Sequence, residues 1–274
     1  MDQLPFSDRT RYLDHLRDES DRFRAALAVA DPAAVVPTCP EWNADDLLWH
    51  LTEVQLFWSA IVEGPVLEDS EIEAVESGKP ARPAARSALQ VLSAATTARL
   101  AAALSAAGPA APAWSWHPAD RTAGFTFRRQ AHEALIHRAD AELTAGVDVS
   151  PFDPGLATDG VDEMLRIFWG IPGGGWATFH PGEHVVEFVT SDTARSWPVL
   201  LGRWTGTGPQ SGREFDEPTG MAIDDDSIAP TARVRGSAAD LDRWLWTRGG
   251  SDVERTGDAA VLAVVDEIVA DGVE

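Results

Sequence analysis

Cysteine is almost missing from this 274-residue chain, which carries only Cys39. No internal disulfide can therefore form. Lysine is nearly absent as well, while Ala, Leu and Arg are plentiful. No run approaches the about 18 consecutive apolar residues of a membrane span. The opening stretch "MDQLPFSDRTRYLDHL" lacks the apolar core of a secretion signal. The expectation is a cytoplasmic, reducing compartment and no membrane partner. Positive charge is scarce, and the formal net charge is −22. A field of that sign repels phosphate backbones and anionic membrane surfaces, so nucleic acid is not an expected partner.

What is present reads as a globular protein. Hydrophobic residues make up 44% and charged residues 24%, enough apolar material to bury a core in one large domain or two ordinary ones. The first half has helical texture. Tyr12, Leu16, Phe23 and Leu27 recur at roughly helical spacing behind Ser7, a candidate cap. Three prolines then interrupt "DPAAVVPTCPEW". A second helix is expected from Asn43, with Asp46 at the capping-box position three residues on. The acidic and proline-rich segment 65–86 reads as a loop, residues 87–108 as an alanine-rich helix, and 109–126 as a second long loop. A fourth helix is expected over 127–145 and a fifth over 156–170.

The texture changes at "IPGGGWATF", the best linker candidate. Beyond it, 183–190, 196–204 and 231–237 read as strands. Two capped helices close the chain, one behind Ser237 and one behind Asp258. Trp244 and Trp246 stand two apart on the first of these, a spacing at which both cannot face one core. The expected architecture is α+β: a four-helix bundle over residues 1–172, then a small α+β domain over 173–274.

The residues that carry chemistry lie in "AHEALIHRADAE", residues 131–142. Glu133 and His137 are four apart, which stacks them one turn over the other on a helix, roughly 40° apart. His132 is five from His137 and faces elsewhere, so this is not the metalloprotease pattern in which two histidines share a face. A Glu/His pair one turn apart is a helix-bundle metal arrangement in kind, but a catalytic zinc takes three protein ligands. His50, set among Leu47, Leu48, Leu51 and Val54, is the candidate for the third from a facing helix. The plainer alternatives remain open: a hydrogen-bonded core histidine at position 50, and a surface Glu–His pair worth a few tenths of a kcal/mol.

Three stretches, in order, resemble one family. The Cys-Pro-x-Trp turn, Asp-Leu pair and His-Leu of "VPTCPEWNADDLLWHLTEVQLFWSAIV" look like the opening of the mycothiol-dependent maleylpyruvate isomerases. "RRQAHEALIHRADAELTAG" resembles their second signature, and "TARVRGSAADLDRWLWTRGG" their third. The resemblance spans nearly the whole chain. It implies a DinB-like bundle followed by a domain similar to sterol carrier proteins. It implies a metal triad of His50, Glu133 and His137, with zinc as the ion. It also implies mycothiol, the small thiol of actinobacteria, as cosubstrate. The family's naming reaction isomerises maleylpyruvate to fumarylpyruvate by thiolate addition, bond rotation and expulsion; other members are implied to transfer the thiol to other electrophiles.

The isomerase also uses an arginine from its C-terminal domain, and Arg248 is the best positional match; the alternative is a surface arginine at a helix C-terminus. Trp42 either anchors its turn in the core or lines a pocket for the cofactor. Cys39 reads as a small packed residue of that turn, and Arg138, Asp140 and Glu142 as pairing between helices. This chain has Glu where the commoner turn has Gly between Pro and Trp, and its two loops look long, so the metal site carries over better than the named substrate. The implied partners are a small-molecule thiol and an electrophile, in a monomer or homodimer. The competing reading is a non-catalytic binder of a small thiol or metabolite.

Overall fold

A computed structural model describes residues 10–170, 176–208, 211–224, 228–250 and 252–272. Ser7 and the core of the Gly-rich segment, 171–175, lie outside the described residues. The chain forms two compact units that divide between Ser150 and Pro151.

The first unit is a four-helix bundle. Its long helices are α1 (Thr10–Val29), α2 (Ala44–Glu63), α4 (Arg86–Ala107) and α5 (Ala123–Thr144). The expected cap of α2 is there: the Asn43 side chain accepts from the Asp45 and Asp46 amides, and Asp46 accepts from the Asn43 amide in return. Between α1 and α2 the three-proline stretch forms a small hairpin of β1 (Val35–Val36) and β2 (Cys39–Asn43). Phe23 and Leu27 of α1, Leu47, Leu48 and Leu51 of α2, Leu89 of α4, Val36 and Ala44 close one core, with Cys39 and Trp42 packed against it. A polar chain crosses the helices beside it: Arg24 donates to Thr97, Thr97 to Gln55, and Gln55 to Ser20.

Two readings of this unit need correction. The acidic segment is not a plain loop; it carries a 3-10 turn (Asp69–Glu71) and α3 (Ile72–Ser77), neither with a buried residue. With no apolar face to bury, they leave no periodicity to read. Helix α5 also starts four residues before the expected 127. Gly124 lies within that first turn, and its amide donates to the Pro109 carbonyl at 2.9 Å. A Cβ there would come 3.1 Å from that oxygen.

The second unit opens with α6 (Pro154–Glu163) and a π-helical turn (Met164–Phe168), in which the Trp169 amide reaches back five residues to Met164. Strands β3 (Thr178–Thr190), β4 (Ser196–Thr207), β5 (Glu214–Ala222), β6 (Ala232–Gly236) and β7 (Glu254–Gly257) form a sheet in the order β5-β4-β3-β6-β7. Only β3 and β6 run parallel. Helices α7 (Ala238–Leu245) and α8 (Ala259–Asp271) carry the expected Ser237 and Asp258 caps. Val161, Met164, Leu165 and Trp169 share their core with Phe188, Trp197, Val234 and Leu241. That apolar face places residues 154–170 with the sheet, although the sequence reading assigned them to the bundle.

Strands β5 and β7 were not foreseen. Both are edge strands, where Pro218 is tolerated and no clean alternation is required. Strand β3 begins earlier than the expected 183, running through His180 and His184, both exposed, with an irregularity in register between Pro181 and Val185. Trp244 and Trp246 both pack against the one core, because α7 stops at Leu245 and the helical angle between them no longer applies.

Candidate metal centre

Helix α5 is buried almost all round. From Phe125 to Glu142 every residue but Glu133 is buried. Glu133, one turn before His137, is half-buried and faces His50 of α2. His50 enters from α2, and one ligand atom from each of the three side chains lies within 4.8 Å of the others. Glu133 Oε1 is 3.5 Å from His50 Nε2 and 3.1 Å from His137 Nε2. Two ligands about 2.0–2.1 Å from a tetrahedral ion are about 3.4 Å apart. The donor set and its spacing therefore fit a divalent ion such as zinc, with His50, Glu133 and His137 as the residues that would hold it. Among the described residues no other group of this kind occurs.

The surroundings aim each ligand. Arg129, one turn before Glu133, donates to Oε2 at 2.9 Å and leaves Oε1 toward the histidines. Asp140, one turn after His137, accepts from Nδ1 at 2.9 Å. That bond turns Nε2 inward, toward the shared point. Thr38 of the hairpin donates to the other Asp140 oxygen at 2.5 Å. The Trp42 ring lies 4.6 Å from the His50 ring, and the His50 ring 4.8 Å from that of His137, edge to face.

These contacts set the charges. Burial pushes the Glu133 carboxyl up, but Arg129 and hydrogen bonds with His137 and His50 outweigh it, and the group is held well below the usual carboxylate range. Burial pushes His137 down, but its bonds to Asp140 and Glu133 win and raise it to about 9. The imidazole thus sits between two carboxylates, both of which favour its charged form.

The sequence-derived residues divide as follows. His50, Glu133 and His137 are brought together, and Trp42 stands beside them, packed at once on the core and on His50. Arg248 follows α7 in the second unit, where its guanidinium donates to the Trp246 carbonyl at 2.7 Å. Arg138 does pair, with Glu142 one turn on and with Glu19 of α1. Asp140 does something else, because its side chain holds a histidine of the triad. Arg129, Asp140 and Thr38 were missed as members of the site. The first two carried a signal, standing at i−4 from Glu133 and i+3 from His137; Thr38 carried none.

A four-helix bundle with a two-histidine, one-glutamate cluster between two of its helices, followed by an α+β domain, is the class that fold and site define. Residues 13–142 match the family described as "Mycothiol maleylpyruvate isomerase N-terminal domain". Residues 155–264 match its "MDMPI C-terminal domain". The chain belongs to the mycothiol maleylpyruvate isomerase family. Two solved structures share its fold: a mycothiol-dependent maleylpyruvate isomerase, with a TM-score of 0.57, and a histidine-to-alanine variant of a mycothiol-dependent maleylpyruvate isomerase, with a TM-score of 0.59. Each is 15% identical, over 94% of this chain and 98% of the other. No curated protein matches the sequence. No helix among the described residues is long and apolar enough to cross a membrane.

Proposed function

We propose that this chain is a mycothiol-dependent enzyme of the cytoplasm that handles small electrophiles. It either isomerises a maleylpyruvate-type substrate by thiolate addition and elimination or transfers the thiol. The convergence of His50, Glu133 and His137 carries this reading, together with membership of the family. A zinc ion, when bound, supplies an open coordination position and favours the thiolate over the thiol. The protein's part is to hold that centre. His50 and His137 offer Nε2, Glu133 offers Oε1, and Arg129 and Asp140 keep carboxylate and imidazole from turning away. Trp42 covers the His50 ring and forms one wall for the thiol. Arg248 is assigned to an anionic group of the substrate, where a guanidinium pairs well with carboxylate.

The first experiment is metal content by mass spectrometry on protein purified without a metal-affinity tag, beside His50→Ala and His137→Ala. About one zinc per chain in the wild type, lost in both variants, is the expected result. Mycothiol with maleylpyruvate, and then with a panel of other electrophiles, should show turnover that needs both thiol and metal. A wild-type protein that stays metal-free even when supplied with zinc would overturn the proposal.

A further inference from the structure

The hairpin between α1 and α2 is far from α5 in sequence, yet it touches one histidine of the cluster and the carboxylate that holds the other. Trp42 lies against the His50 ring. Thr38 reaches Asp140, 102 residues away, at 2.5 Å. Asp140 is fully buried, and its second oxygen accepts from His137 Nδ1 at 2.9 Å. A carboxylate bound to a histidine in this way fixes the tautomer and the plane of the ring. The carboxylate must itself be fixed, because rotation about its own bond would carry the acceptor away from Nδ1.

We propose that Thr38 is a positioning residue of the metal centre, acting through Asp140 to hold His137 with Nε2 facing His50 and Glu133. The hydroxyl donates its proton to Oδ1 and so leaves Oδ2 for the imidazole. The Thr38–Asp140–His137 chain makes the hairpin an outer brace for a site whose ligands all stand on helices. This rests on the reading of the cluster as a metal centre. It goes beyond that reading in giving the turn a role in holding the site and in naming the group that does so.

The test compares wild type with Thr38→Val, Thr38→Ser and Asp140→Asn, with Thr144→Val as control. Among the described residues, the Thr144 hydroxyl donates to the Asp140 backbone carbonyl, within α5. Zinc affinity is read by chelator competition, and the electronic spectrum of the cobalt-substituted protein reports ligand geometry. Loss of an outer partner of a ligating histidine weakens binding about 10–100-fold, so Asp140→Asn should fall in that range and Thr38→Val near its lower end. Thr38→Ser, which keeps the hydroxyl, should restore wild-type affinity and spectrum, and Thr144→Val should leave both unchanged.

A second readout needs no metal: the Nδ1 proton resonance of His137 in the metal-free protein. It should shift in Thr38→Val and return in Thr38→Ser. Wild-type affinity, spectrum and resonance in Thr38→Val would overturn the proposal. A wild type that binds no zinc, but whose His137 resonance still follows the hydroxyl, would overturn the metal reading and leave the positioning chain standing.

Discussion

Arg138 of α5 donates from Nε to Glu19 Oε2 of α1 at 2.7 Å, and the arginine side chain is wholly buried. Its Nη1 donates both to Glu142, at 2.8 Å, and to the Ser150 carbonyl, at 2.7 Å. Glu142 in turn accepts from the Ser150 amide and hydroxyl. One guanidinium thus joins two helices to the end of the first unit. Arg138→Ala would remove the cation that faces two buried carboxylates, Glu19 and Glu142, in a low-dielectric interior. Removing one partner of a buried pair costs about 3–5 kcal/mol. Urea denaturation of the variant should show a loss of that size; a loss below about 1 kcal/mol, the range of surface pairs, would mean that the network contributes little.

Zinc should stabilise the folded chain, because the three ligands converge only when α2 and α5 are packed. At a free zinc concentration about 100 times its Kd, linkage gives about 2.7 kcal/mol. A thermal-shift titration should show this rise in wild type and a much smaller one in His50→Ala. Equal rises in both would place the stabilising ion somewhere other than this cluster.

His117 lies buried with its ring stacked on Phe125. Burial lowers its pKa, Asp120 partly opposes that, and Arg128 lowers it further. Below its ordinary value of about 6.5 the unfolded chain takes up a proton that the folded chain resists. The stability His117 provides is therefore present above pH 6.5 and declines as the pH falls toward the folded value. Melting temperatures of wild type and His117→Gln, compared at pH 7.5 and 5.5, should show the wild type losing more. Parallel losses would refute this assignment.

Gly160 of α6 sits under Asp242 of α7. A Cβ there would lie 2.6 Å from Oδ2 and 2.7 Å from Oδ1 of a buried carboxylate. Gly160→Ala would ordinarily favour a helix by up to about 1 kcal/mol. Here overpacking, at about 1–3 kcal/mol, should win. Chemical denaturation should find the variant less stable, and a stabilised variant would show that α7 can yield without cost.

What the sequence by itself determined is local. The caps at Asn43, Ser237 and Asp258 need only neighbours within four residues, and their hydrogen bonds form as read. The Glu133–His137 stack follows from helix pitch alone. The bundle was legible because α1 and α2 each carry an apolar stripe, and the second unit because strand-like runs follow the glycine-rich stretch. The order of the family's three motifs added to these what spacing alone left open, the choice of His50 as third ligand. Tertiary structure decided the rest. It placed His50 against a pair 83 and 87 residues further along the chain (133 − 50 and 137 − 50). It joined Thr38 to Asp140, added β5 and β7 as edges with little apolar pattern, and assigned α6 to the sheet. Each of these depends on which faces meet in three dimensions, and a contact across a packed interface leaves no period in the chain to be read.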